Sequence, residues 1–290
     1  MGRRPSPRPS YDKPTAIPYD EATLHLWGDE ESGYVEDRIF VSSDRIHQLE
    51  LSIPPGGRFQ HSDQNRTVFA ADQVYYVLEG TMVLANPATG EVQRVRTGEA
   101  AFFRRDTWHH AYNYDASRRL RALELFAPPP SQGTSSAYAR TKENITEWSY
   151  GDDTALTRWP MDRAQIEEKH QIHVLGEEDV LWRIEDPDGD LLVGLYASTD
   201  HLTVGRGTLL PGRRGPRRRH GGDQSVYVLD GTLNVFLPEA DSIPSWFALR
   251  PGDAFYLPIG TTYEFHNISA ESATFLFAVA PSYLEREDDS

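Results

Sequence analysis

Chemistry in this chain has to be done without a thiol. The sequence contains no cysteine, which excludes disulfides, thiolate nucleophiles and Cys-based zinc sites. Any bound metal must use imidazole, carboxylate, amide or phenol groups. Ten histidines are present, and several stand where they could cooperate. His109 and His110 are adjacent and follow Trp108, His61 lies two residues before Asp63, and His220 ends the run Arg213, Arg214, Arg217, Arg218, Arg219. Imidazole can ligate a metal or carry protons near neutral pH. A guanidinium is not a metal ligand in practice, and it suits a carboxylate or phosphate, which it grips with two parallel hydrogen bonds. The sequence has no plausible Ser-His-Asp order, no phosphate-cradling glycine loop and no dinucleotide fingerprint.

The elements that position these residues read as β-strands. Residues 74–78 (VYYVL), 191–195 (LLVGL) and 275–279 (FLFAV) are short, β-branched or aromatic, and bounded by Gly, Pro or Asp, as expected of an all-β barrel or sandwich. One helix is expected over about residues 162–171, in the middle of the chain. Residues 1–20 carry prolines at positions 5, 7, 9, 14 and 18 and read as a disordered Pro/Arg-rich arm. Residues 285–290 form an acidic tail. With 290 residues, the chain accommodates two domains of ordinary size. A formal net charge of −15 argues against nucleic acid, whose phosphates need a basic face. No apolar run is long enough to span a bilayer, and the N-terminus lacks a secretory apolar stretch. The expected setting is cytoplasmic, as a monomer or homodimer.

An internal repeat decides the organisation. Residues 72–81 read DQVYYVLEGT and residues 223–232 read DQSVYVLDGT. Gly98-Glu99-Ala100 returns as Gly252-Asp253-Ala254, each followed at the same distance by an asparagine, Asn113 and Asn267. Phe126-Ala127-Pro128 returns as Val279-Ala280-Pro281. Gly80 and Gly231 each follow a strand and open a turn, where a positive φ is cheap only for glycine. These segments resemble the cupin superfamily, over about residues 45–128 and 190–281. Its first motif runs from a Gly through two histidines and an acidic residue to a Gly. Its second runs Gly, Pro, Gly, His, Asn; Gly252, Pro258, Gly260 and Asn267 match it, as do Gly98, His109 and Asn113. The expected fold is two tandem cupin-type, jelly-roll-like β-barrels with a short helical connection. The domains would span residues 21–130 and 190–284, joined by a connecting segment, 131–189.

The resemblance implies that two histidines and a carboxylate of the first motif share a metal with one histidine of the second. In the first repeat His109 holds the second-motif position and Gln73 the acidic one. A gapless register places Thr67 and Phe69 at the histidine pair. The favoured register instead makes His61 a ligand across a loop insertion, after the turn Pro54-Pro55-Gly56-Gly57. The expected metal set is His61, Gln73 and His109, with His47 and His110 as further imidazoles. In the second repeat the matching positions are Arg218, His220, Gln224 and Tyr263, a set expected to exclude cations and to hold a small anion. Arg218 would then need a bound anion or escape to solvent, because a buried unpaired charge is costly; Glu264, beside Tyr263, would point away.

Three functions follow from the resemblance. The first is a dioxygenase-type oxidoreductase using Fe, Mn, Ni or Zn in the first barrel, on a small oxygenated molecule. There Tyr76 or His110 would handle protons. The second is an isomerase, cyclase or lyase in which His109, His110 and Tyr76 act as acid and base with weak or no metal. The third is a non-catalytic protein that captures a small anion, a carboxylate among the candidates. Tyr75 and the other aromatics near the repeated motif are expected in the core.

Overall fold

Near-continuous runs of β-branched and aromatic residues build strands whose two faces are both buried, because each large sheet has a barrel interior on one side and a neighbour on the other. The structure is a computed structural model that describes residues 6–128, 137–151, 153, 156–185, 190–240 and 244–284. Among these residues lie two seven-stranded antiparallel sheets, each closed into a barrel by a smaller sheet of four or three strands. In the first barrel the large sheet runs His173–Leu175, Ala100–Phe103, Asp72–Glu79, Leu120–Ala127, His47–Ile53, Gly33–Ser42, Thr23–Asp29. In the second it runs Thr15–Ile17, Ala254–Leu257, Asp223–Asp230, Ala273–Ala280, Thr203–Leu209, Leu191–Ser198, Leu181–Ile184.

The two orders superimpose position by position. Gln73 lies opposite Phe126 and Phe103, and Gln224 lies opposite Val279 and Leu257. Gly80 and Gly231 adopt φ of +87° and +72°, as their turns require. The backs of the large sheets pack on each other. Val74, Tyr76, Leu123 and Leu125 meet Tyr227, Leu276 and Ala278 in one apolar layer. Polar bonds cross it: Ser43 Oγ donates to Asp223 Oδ2 at 2.7 Å, and Tyr227 OH to Glu50 Oε2 at 3.0 Å.

Two segments depart from expectation. The N-terminal arm is ordered from residue 6: Thr15–Ile17 adds an edge strand to the second barrel's sheet beside Ala254–Leu257, and Tyr11 OH donates to Phe40 O. The main-chain donors and acceptors of an open sheet edge recruit the arm despite its prolines. The connecting segment is likewise divided between the barrels. His173–Leu175 pairs with Ala100–Phe103 of the first, and Leu181–Ile184 with Leu191–Ser198 of the second. Each repeat's leading strand thus completes the other barrel. The helix expected over about residues 162–171 is a short one, Arg163–Glu167, and a second short helix, Ala137–Arg140, lies earlier in the connection. Residues 1–5 and the acidic tail, 285–290, lie outside the described residues. Among the described residues no helix is long and apolar enough to cross a membrane.

Candidate functional site

The first barrel encloses a cavity of about 60 Å³, and the second one of about 20 Å³. The difference follows from four residues. In the second barrel, strand Thr203–Leu209 carries Gly205 and Gly207, opposite Phe277 and Phe275. A Cβ at Gly205 would come 2.5 Å from the Phe277 ring, and one at Gly207 2.3 Å from the Phe275 ring. The rings occupy the space the glycines leave and fill the interior. The first barrel has Leu49 and Leu51 at those glycine positions and Glu124 and Ala122 at those of the phenylalanines. Its interior therefore stays open, with a carboxyl group inside.

Glu124 is the centre of the open site. Its Oε1 accepts from Gln73 Nε2 and from Tyr75 OH, each at 3.0 Å. The Tyr75 hydroxyl also lies 3.1 Å from His109 Nε2, and His109 Nδ1 is 3.3 Å from Thr107 O. Burial pushes the Glu124 carboxyl up to about 7 and the His109 imidazole down to about 4, because both charged forms lose water. Asp37, also lining the cavity, is held well above the ordinary carboxylate range by burial and by the nearby charge of Glu124. One protonation pattern satisfies all of these contacts. With Glu124 protonated, it donates to the Tyr75 oxygen, Tyr75 donates to His109 Nε2, and His109 Nδ1–H donates to Thr107 O. With Glu124 ionised, Tyr75 turns its proton to Glu124, and His109, which keeps its Nδ1–H on Thr107 O, loses the donor at Nε2. A proton gained or lost at the carboxylate is thus felt at Tyr75 and His109.

The sequence-predicted metal set does not converge. His109 N donates to Thr67 O, as Tyr263 N donates to Arg218 O. Asp106 N donates to Phe69 O, as Gly260 N donates to His220 O. The gapless register therefore holds: Thr67 and Phe69 stand at the histidine positions and line the cavity with His109. His61 lies elsewhere. After the two-residue strand Arg58–Phe59, the inserted loop turns away from the cavity, and both ring nitrogens are taken, Nδ1 at 2.7 Å from His110 Nε2 and Nε2 at 2.6 Å from Ile145 O. His110 Nδ1 accepts from Tyr150 OH at 2.8 Å, and burial drives this imidazole down to about 2. His61 and His110 thus pin the connecting segment to the barrel. Gln73 spends its amide on Glu124. Among the described residues no group of three or more His, Asp or Glu side chains is arranged to hold a metal ion.

Tyr76 also departs from its predicted place. It neighbours Tyr75, so alternation sends it to the opposite face, where its ring meets Tyr196 of the second barrel at 5.8 Å. In the second barrel, His220 Nε2 lies 2.8 Å from Tyr263 OH, which also bonds Gln224. Arg218 neither escapes nor waits for an anion: its Nη2 donates to Glu185 O at 2.9 Å and pairs with the Glu185 carboxylate. Glu264 pairs outside with Arg217. Sequence reasoning missed Glu124 and Asp37; Tyr75 is in the core as expected, and it also lines the cavity. The usable signal for Glu124 was a charged residue in LEL (residues 123–125), aligned with Phe277 of FLFAV.

Comparison with known proteins places the chain by fold. The profile of the cupin domain family matches residues 205–279. No curated protein matches the sequence. A Pseudomonas aeruginosa protein described as glyoxylate-induced has a similar structure, with TM-score 0.64 at 15% identity, covering 98% of this chain and 95% of that one. AerE from Microcystis aeruginosa gives 0.59 at 12% identity over 91% and 98% of the two chains. Oxalate decarboxylase from Lactobacillus farciminis gives 0.60 at 14% over 95% and 89%.

Proposed function

We propose that this chain, a two-barrel member of the cupin superfamily, is an enzyme that moves protons on a small oxygenated substrate in its first barrel, in the class of isomerases, cyclases and lyases. The observation that carries this reading is Glu124: a buried carboxyl with a pKa of about 7, bonded to a tyrosine that is bonded to a neutral histidine. A general base works best when its pKa lies near the working pH. Both hydrogen bonds fall on Oε1, so Oε2 is the atom offered to a ligand in the cavity. The ionised carboxylate would take a proton from a carbon next to a carbonyl. Glu124 would then be neutral, Tyr75 would turn its proton to His109, and the negative charge would pass to the substrate's carbonyl oxygen. Thr67 Oγ1, buried in the cavity wall with no hydrogen-bond partner among the described residues, is placed to donate to a substrate oxygen. Walls of Leu49, Leu51, Phe59 and Phe126 keep water from competing.

The metal-dependent dioxygenase reading is less well supported. The residues expected to hold a metal, His61, Gln73 and His109, are committed to other partners, so no step is routed through a metal. The test is hydrogen exchange. Small carbonyl compounds incubated with the protein in deuterated water should exchange carbon-bound hydrogen, observed by proton NMR, and E124Q should abolish that exchange. Oxygen consumption that depends on added metal and survives E124Q would overturn the proposal in favour of the oxidative reading.

A further inference from the structure

Among the described residues the cavity lining includes a single arginine or lysine, Arg8, and it comes from the N-terminal arm. Arg8 Nη2 donates to Ser43 O at 2.8 Å, and Nε donates to Ser42 Oγ at 3.3 Å. These bonds hold the guanidinium over the end of the barrel where Gly33–Ser42 turns into His47–Ile53. It also pairs with Asp44, at 3.2 Å, whose side chain is 96% exposed. His47, in the cavity beside it, is held down to about 3 by burial and then by the Arg8 charge, so it stays neutral.

Strand register gives the depth of each group below this mouth. His47 pairs with Phe126, Leu49 with Glu124, and Leu51 with Asp37. Each step is two residues along a strand, roughly 7 Å. The cation is at the mouth, the proton-transfer carboxyl roughly 7 Å below it, and a second carboxyl the same distance deeper. Ile39, Leu49, Phe69 and Phe126 wall the space near the first step.

We infer that Arg8 selects the substrate class: a small monocarboxylate with an apolar body, its carboxylate held at Arg8 and its reacting carbon placed at Glu124. A guanidinium at the mouth holds one carboxylate through charge-assisted hydrogen bonds. A second carboxylate deeper in would meet Glu124 and Asp37 and be repelled. The position of the reacting carbon rests on the proton-transfer reading above; capture of the carboxylate does not.

Calorimetric titration of the full chain with butyrate, butyramide and succinate tests the inference. Butyrate should bind at least about tenfold more tightly than butyramide or succinate, the step that a charge-assisted hydrogen bond provides. R8Q should remove that advantage while leaving butyramide unchanged, R8K should restore part of it, and R94Q, a distant surface charge, should change nothing. Equal binding of acid and amide, an R8Q variant that binds butyrate as tightly as the parent, or no butyrate binding at all would overturn it. E124Q separates the two claims. Butyrate capture that survives E124Q alongside absent hydrogen exchange in the parent would retain the Arg8 site and sink the proton-transfer reading.

Discussion

Replacing Glu124 by glutamine should stabilise the protein, and only at higher pH. The carboxyl is buried, and burial pushes its pKa up to about 7 in the folded chain from an ordinary value of 4.5. Below about pH 4.5 it is protonated in both folded and unfolded states, and the neutral amide is an equivalent substitute. As pH rises, the unfolded chain ionises first and the folded state loses ground at about 1.4 kcal/mol per pH unit. The loss is complete above pH 7, where it reaches about 3 kcal/mol. This runs opposite to an ion-paired carboxylate, whose lowered pKa adds stability above its unfolded value. The amide of the E124Q variant would keep both acceptor bonds through its carbonyl, from Gln73 and from Tyr75, and would relieve Asp37 of a neighbouring negative charge. The expected gain at about pH 8.5 is roughly 5–10 °C in Tm, shrinking to nothing at about pH 4.5. Circular dichroism melts across that range measure it. A difference between parent and variant that does not change with pH, or a parent more stable at high pH, would refute the reasoning about Glu124.

Three further outcomes are expected. Y75F should slow hydrogen exchange at least about tenfold by removing the hydroxyl that bonds Glu124 and His109, whereas Y76F should leave it unchanged; the reverse order, read by NMR, would put the chemistry on the wrong face of the strand. G207A, whose new methyl would meet the Phe275 ring, should cost about 1–3 kcal/mol in urea denaturation, and a neutral result would mean that the second barrel is not closely filled. Excess Mn²⁺, Ni²⁺ or Zn²⁺ should raise Tm by less than about 1 °C, because the expected ligands do not converge on a site that would bind the native state. A large stabilisation that disappears in H109A would restore a metal centre in the first barrel.

The fold was legible because duplication is a long-range signal: two ordered copies of a strand and its glycine turn fix equivalent places in two sheets. Arms that complete the opposite barrel were not legible. Edge pairing depends on main-chain groups that a Pro-rich composition says little about. At the site, His109 and Gln73 could be placed because each belongs to a repeated motif. His61 could not, since the inserted loop before Thr67 offers two registers and only tertiary contacts choose between them. Tyr75 and Tyr76 look interchangeable in sequence, yet alternation sends one to the cavity and the other to the opposite barrel. Glu124 was hidden in a strand that otherwise reads as core. Arg218 found Glu185, a partner from the connecting segment that no motif indicates.

The pairing of Thr15–Ile17 with Ala254–Leu257 also orders events on the ribosome. The arm leaves the exit tunnel first, but its partner strand is about 240 residues behind it, some 20 seconds at ~10 residues per second. During that interval the first barrel can close on its own strands while the arm's anchor is still missing. Arg8 is thus tethered on both sides only when translation is nearly done. A nascent chain, or one terminated early in the second repeat, would hold the arm by its bonds to the first barrel alone, through Tyr11 and Pro9. The anchor on the second barrel is then acquired last, as a property of the finished polypeptide.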